Sequence, residues 1–145
     1  MRRLDPALWG PAPDADEARG AAAANAVRVA RERAEVAADA LIREAIADLL
    51  GISAQAVSNR IRQDRLVAIR EGRRWLLPVW QFDSALADPV LPGIPDVLHA
   101  WPGSPVALSR WARTPSRDLD ARTPAAALRD GDVREVVAAA RAIGA

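Results

Sequence analysis

Between Leu41 and Leu77 the apolar residues of this chain change period, and few folds accommodate that change. Leu41, Ala45 and Leu49, with Ile42, Ile46 and Leu50 beside them, recur every four residues, the spacing of one helix face. Gly51 then offers a left-handed turn. Ser53 offers a hydroxyl to cap a following helix, and Val57 and Ile61 form the buried side of that helix over about 54–63. From Val67 the helical spacing ends. Val67-Ala68-Ile69-Arg70 and Arg74-Trp75-Leu76-Leu77 predict two short strands, with Glu71-Gly72-Arg73 as the hairpin loop and Pro78 as the stop.

Two helices across a glycine turn, followed by a hairpin, predict a helix-turn-helix with a wing. Ala47 is small where the helices cross, and Ile52 and Val57 fill the corner between them. Left outward on the second helix are Gln55, Ser58, Asn59 and Arg62, with Ser53 at its cap and Arg60 and Arg65 at its flank. Such side chains hydrogen-bond base edges and phosphates. Arg70, Arg73 and Arg74 cluster at the wing. Over 58–75 six arginines face only Asp64 and Glu71, a local charge of +4 in a chain whose formal net charge is +1. A globally basic coat is therefore excluded, and a phosphate footprint has to be local. The competing reading is a helix pair and hairpin that merely pack. The run from Ile61 to Trp75 resembles the winged helix-turn-helix of the excisionase and MerR type, in which an Ile-Arg-x-x-Arg-Leu helix end leads into a Gly-Arg-Arg-Trp hairpin. In those domains a short separate entry precedes the first helix, whereas here Arg43-Glu44-Ala45-Ile46-Ala47 reads as the continuation of an upstream helix.

The flanks are less informative. Pro6, Gly10, Pro11 and Pro13 predict a loose arm over 1–13. An alanine-rich helix is expected from Asp14 to about Ala38, with Asp14, Asp16 and Glu17 at its positive end and Gly20 weakening the first turn enough to delay its start. Its Ala22, Val29 and Val36 stripe is thin, so it is expected to pack on a partner, as a dimer contact, or back on its own chain. Ser104-Pro105 and Thr123-Pro124 each place a cap before a proline at the first helical position. With Pro95 and with Asp132 after Gly131, they predict four short helices over 95–143. The expected architecture is mainly α, in three parts. Residues 1–38 form an arm and helix, 39–80 the winged domain, and 81–145 a small helical domain.

All 20 basic residues are arginine, cysteine is absent and His99 is the one histidine. Disulfides, thiolate metal sites, thiol nucleophiles and multi-histidine sites are thereby excluded. No apolar run approaches the roughly 20 residues that span a bilayer, and Asp5 and Pro6 follow Met1-Arg2-Arg3 where a signal peptide would need its apolar stretch. A soluble cytoplasmic protein is expected, with no membrane partner, no metal and no cofactor. No catalytic set is visible either: Asp118 and Asp120 read as caps, Ser109, Ser116 and Thr123 lack a nearby base, and Trp101 and Trp111 read as core. The chain is expected not to be an enzyme.

The order of elements in the last third resembles the toxin-binding domain of antitoxins in the Xre/MbcA/ParS group. The residues that carry the likeness are the Trp111 helix, the Pro115 to Leu119 turn, the Pro124 to Leu128 helix, Gly131, and a last helix with a Glu135-Val136 step, preceded by Pro92-Gly93-Ile94-Pro95-Asp96-Val97-Leu98. Ala121 stands where that family often has glycine, and Ser116 where it has asparagine. The resemblance implies a type II antitoxin that neutralises a RES-domain, NAD-depleting toxin and represses its own promoter. The last helix, 132–143, and the residues after it would enter the toxin's cleft. Val133, Val136, Val137 and Ala140 share one helix face and are expected to line the core, which leaves Arg134, Glu135, Arg141, Gly144 and Ala145 for the toxin. A homodimer on a two-fold operator is expected, because one winged domain makes too few base contacts for tight binding. The alternative is a stand-alone excisionase- or MerR-like transcriptional regulator whose last third dimerises or binds another partner.

Overall fold

The computed structural model describes residues 14–144. The expected arm over 1–13 and the partner residue Ala145 lie outside that range. The chain divides into two compact units, one up to Arg33 and one from Ala34 onward. In the first, the helix α1 (Ala15–Ala38) starts with no delay at Gly20. The Asp14 carboxylate accepts from the Glu17 amide at 2.7 Å, which satisfies an otherwise orphaned donor at the helix start. Residues 14–31 are exposed, Val27 and Val29 among them. The last turn of α1 belongs to the second unit and supplies its one buried side chain, Val36.

The second unit begins with a correction. Leu41 and Ile42 form a strand, β1 (Ala40–Ile42), and the helix α2 spans only Arg43–Leu50. The i, i+4 spacing that read as helix from Leu41 is real from Arg43 onward. Ahead of it, pairing with a distant strand decides the conformation. β1 pairs antiparallel with β3 (Arg74–Pro78), Leu41 opposite Leu77, and β3 pairs with β2 (Ile69–Glu71), Ile69 opposite Leu76. The expected hairpin is thus the major part of a three-stranded sheet ordered β1-β3-β2.

Gly51 closes α2 at φ +65°. The Ser53 hydroxyl accepts from the Ala56 amide and starts α3 (Ala54–Arg62). Ile46, Ala47, Val57 and Ile61 bury between the two helices, with Leu66, Ala68 and Leu77 beneath them and Ile52 packed at the edge. Full burial of an Ile or Val of this kind contributes about 1.5–3 kcal/mol.

Val67 and Ala68 are not in the strand predicted for them, but they are buried, and they alternate. Leu66 and Ala68 face the helix-turn-helix cluster, while Val67 faces a second cluster with Trp80, Leu91, Ile94, Val97, Leu108, Leu119, Leu128 and Val136. Gln81, fully buried, holds this crossing. Its Oε1 accepts from the Val67 amide at 2.8 Å, and its Nε2 donates to the carbonyls of Val67 at 2.8 Å and Pro78 at 3.0 Å. The second cluster therefore draws on residues before and after position 80, and 34–145 is one unit rather than two divided at 80/81.

Four short helices cover that cluster: α4 (Ile94–Ala100), α5 (Pro105–Ala112), α6 (Pro124–Arg129) and α7 (Val133–Ile143). Ser104 and Thr123 cap α5 and α6 as predicted. Asp132 does not cap α7, because its carboxylate accepts from Arg122 at 2.7 Å instead. Arg122 also bonds Asp130 at 3.0 Å and the Leu119 carbonyl at 3.1 Å. The bonds to Asp132 and then Asp130 raise its pKa further above the usual guanidinium value. Gly93, at φ +80°, leaves no room for a side chain, since a Cβ there would overlap the Val133 methyls. No helix is long and apolar enough to cross a membrane among the described residues.

Candidate nucleic-acid interface

Successive residues of an α-helix turn by about 100°, so α3 sorts its polar residues by position. Gln55, Asn59 and Arg62 fall on one exposed stripe and bond to one another. The Gln55 Nε2 donates to Asn59 Oδ1 at 3.2 Å, and the Arg62 guanidinium donates to the same oxygen. Ser58, expected on this stripe, is buried at 5% exposure. Its hydroxyl accepts from Arg43 Nη1 at 2.8 Å, so its role is to hold Arg43 rather than to meet a base. The Ser53 side chain is committed to the cap. Arg60 and Arg65 lie away from the stripe, beside Leu66, Asp88, Val90 and Pro92 in a recess of about 180 Å³.

The wing presents its arginines in three different ways. β2 and β3 are joined through Gly72 and Arg73, with Gly72 at φ +60°. Arg70 lies over the Trp75 ring, 4.8 Å from its centroid, and its Nε donates to the Gly72 carbonyl at 3.2 Å. This cation–π contact fixes the guanidinium close to the sheet. Arg74 pairs loosely with Glu71 at 3.4 Å. Arg73 is exposed at the turn and makes no ion pair with another described residue.

Arg43 is the functional candidate that the sequence did not reveal. It begins α2, yet its side chain reaches α3 through Ser58 and lines a recess of about 270 Å³ with Ile42, Glu44, Arg73, Arg74 and Trp75. Three arginines, one from α2 and two from the wing, thus border one cleft, and Arg43 ties that cleft to α3 through Ser58. Glu44 pairs with Arg43 at 3.1 Å. A backbone hydrogen bond at Glu44 and the bond from Arg43 lower its pKa below the ordinary carboxylate value. The signal that could have found Arg43 was its place fifteen residues before Ser58. Nothing in that spacing reveals a contact unless the strand break at Ile42 is already known.

On the helical half, α7 buries Val136, Ala139 and Ala140 and keeps Val133 and Val137 half-buried, as expected from its periodicity. Arg134, Glu135, Arg141 and Gly144 are exposed. Trp101 and Trp111 pack on the core rim with ring centroids 5.1 Å apart, and the Trp101 Nε1 donates to the Ser104 carbonyl at 3.1 Å. His99 is exposed on α4. The Ser109 hydroxyl donates to the Pro105 carbonyl at 2.8 Å, and Ser116 and Thr123 accept from backbone amides. No group of three or more His, Asp or Glu residues able to hold a metal occurs among the described residues.

The solved NMR structure of Rv2175c is similar to this chain, with a TM-score of 0.58 and 27% sequence identity over 72% of this chain and 80% of that one. No family model matches the sequence, and no curated protein matches it.

Proposed function

We propose that this protein is a sequence-specific binder of double-stranded DNA. In this reading α3 enters the major groove, and the β2–β3 wing and Arg43 lie against the flanking phosphates. The observation that carries it is the placement of Gln55, Asn59 and Arg62 on one exposed stripe of α3, in a domain whose cleft between α2 and the wing is bordered by Arg43, Arg73 and Arg74. Amide and guanidinium groups at the front of a second helix read base edges, and arginines at the side contact phosphates. The protein acts as a homodimer on a two-fold operator, in the cytoplasm, as a binding protein rather than an enzyme. The test is a mobility shift with duplexes selected from a random library, repeated across salt concentrations. Specific retardation with log affinity falling by about 0.9 per phosphate contact in log salt is expected. An affinity equal for all duplexes at every salt concentration would overturn specificity.

A second proposal concerns α7, whose polar residues Arg134, Glu135 and Arg141 face solvent while its valines and alanines face the core. That division leaves a charged face available to a partner. Together with the resemblance described above, it supports an antitoxin that binds a RES-domain toxin and represses its own promoter. Co-expression with such a toxin decides it. Restored growth lost in an Arg134→Glu, Arg141→Glu double variant supports the antitoxin, and no restoration by the native chain leaves a stand-alone regulator.

A further inference from the structure

The chemistry of the α3 stripe narrows the base sequence it can read, and this inference rests on the DNA-binding reading above. α3 contains no Asp or Glu. It therefore lacks the carboxylate that would accept from a cytosine amine. Arginine carries donors and no acceptor, so the bond between Arg62 and Asn59 has to end on the amide oxygen of Asn59. That fixes the orientation of the Asn59 amide. Gln55, 3.2 Å from the same oxygen, must then donate through Nε2. The consequence is an ordered polarity along the stripe. Gln55 presents an acceptor, its Oε1, and one remaining Nε2 hydrogen, while Asn59 presents the two hydrogens of Nδ2 and Arg62 presents its remaining N–H groups.

We infer that this stripe reads a guanine-centred step, with guanine edges opposite Asn59 and Arg62 and an amino-bearing base, adenine or cytosine, opposite Gln55. In the major groove guanine offers two acceptors, N7 and O6, whereas thymine offers one acceptor and a methyl group. Adenine offers an acceptor and a donor, and its usual bidentate partner needs a free amide oxygen, which Asn59 has already committed to Arg62 and Gln55. Gln55 and Arg62 are separated by about 10 Å along the helix axis at 1.5 Å per residue. That is about three base-pair steps at 3.4 Å each, which span about four base pairs, so the readout occupies the core of a single half-site.

The experiment uses the full chain and selection from a random duplex library at one fixed salt concentration. Enrichment of guanine at two positions of a core of about four base pairs, with adenine or cytosine at the position opposite Gln55, is expected. Replacing those guanines by 7-deazaguanine, which lacks N7, should weaken binding by about tenfold or more. Replacing them by inosine, which keeps N7 and O6, should leave affinity unchanged. Arg62→Ala should abolish the preference at one guanine and retain the others. A selected core without guanine, or affinity indifferent to 7-deazaguanine, overturns the readout while DNA binding stands. Enrichment of no duplex over the starting library overturns both the readout and the DNA-binding reading.

Discussion

Arg62 and Arg73 are both exposed arginines, but their surroundings assign them different work. Arg62 is part of the α3 stripe, hydrogen-bonded to Asn59. Arg73 stands at the hairpin turn with no ion pair to another described residue. Arg62→Ala should weaken operator binding by about 1–3 kcal/mol and relax sequence preference at one position. Arg73→Ala should weaken binding to all sequences and reduce the salt slope by about one unit. Titrations of both variants against operator and scrambled duplexes check this, and a changed preference in Arg73→Ala would reassign the wing. At a different residue, Asp120 and Ala121 both adopt left-handed backbone, with φ of +56° and +64°. Ala121 is the position where glycine was noted as common in the antitoxin group. A left-handed residue with a Cβ costs roughly 1–2 kcal/mol, so Ala121→Gly should raise stability by about 1 kcal/mol after the entropy of the added glycine is subtracted. Urea denaturation monitored by tryptophan fluorescence measures it.

At the scale of elements, what could be read from the sequence was whatever rests on local chemistry. Gly51, the Ser53 cap, the proline-started helices and the inward face of α7 depend on residues within a turn of each other, and the structure has them where the sequence placed them. The misreadings share a different cause. Leu41 and Ile42 became a strand because β3, more than thirty residues later, pairs with them. Ser58 was turned inward by Arg43, and Asp132 was drawn from its cap by Arg122. In each case a long-range partner outweighed a local preference that is worth at most about 1 kcal/mol. The element left with least to bury is α1, whose residues up to position 31 are exposed. A chain beginning at Ala34 keeps Val36 and both core clusters, so it should fold. If α1 carries the dimer contact, light scattering of that truncation should give the monomer mass, and an unchanged dimer mass would place the contact elsewhere.

On the scale of the whole molecule, the shared core changes what a truncation can mean. Val136 is fully buried in the same cluster as Val67 and Trp80, and α7 also supplies Ala139 and Ala140 to the interior. Deleting 132–145 therefore removes core from the unit that carries the wing, so DNA binding and any partner binding should be lost together. Losing the burial of Val136 alone costs about 1.5–3 kcal/mol, a sizeable share of the roughly 5–15 kcal/mol that a domain of this kind has. Exposed substitutions on α7 are the sound way to separate the two activities. The same reasoning predicts one cooperative unfolding transition for 34–145, followed by coincident far-ultraviolet and tryptophan signals. Two separated transitions would mean that the clusters melt independently despite Val67 and Val90 touching the boundary between them.

If the protein binds DNA as proposed, Gln81 has a consequence for how much a duplex must order on arrival. Its amide joins the residue that leads into β2 to the residue that ends β3, so the two feet of the hairpin are tied together inside the protein. A wing tethered at both feet behaves as a stiff bracket rather than a loose flap. Ordering a free loop on docking would draw on the binding energy, at about 0.5–1.5 kcal/mol for each long side chain immobilised. In the DNA-binding reading, the backbone beneath Arg70, Arg73 and Arg74 is then held in place before a duplex approaches, by a residue that never touches the surface.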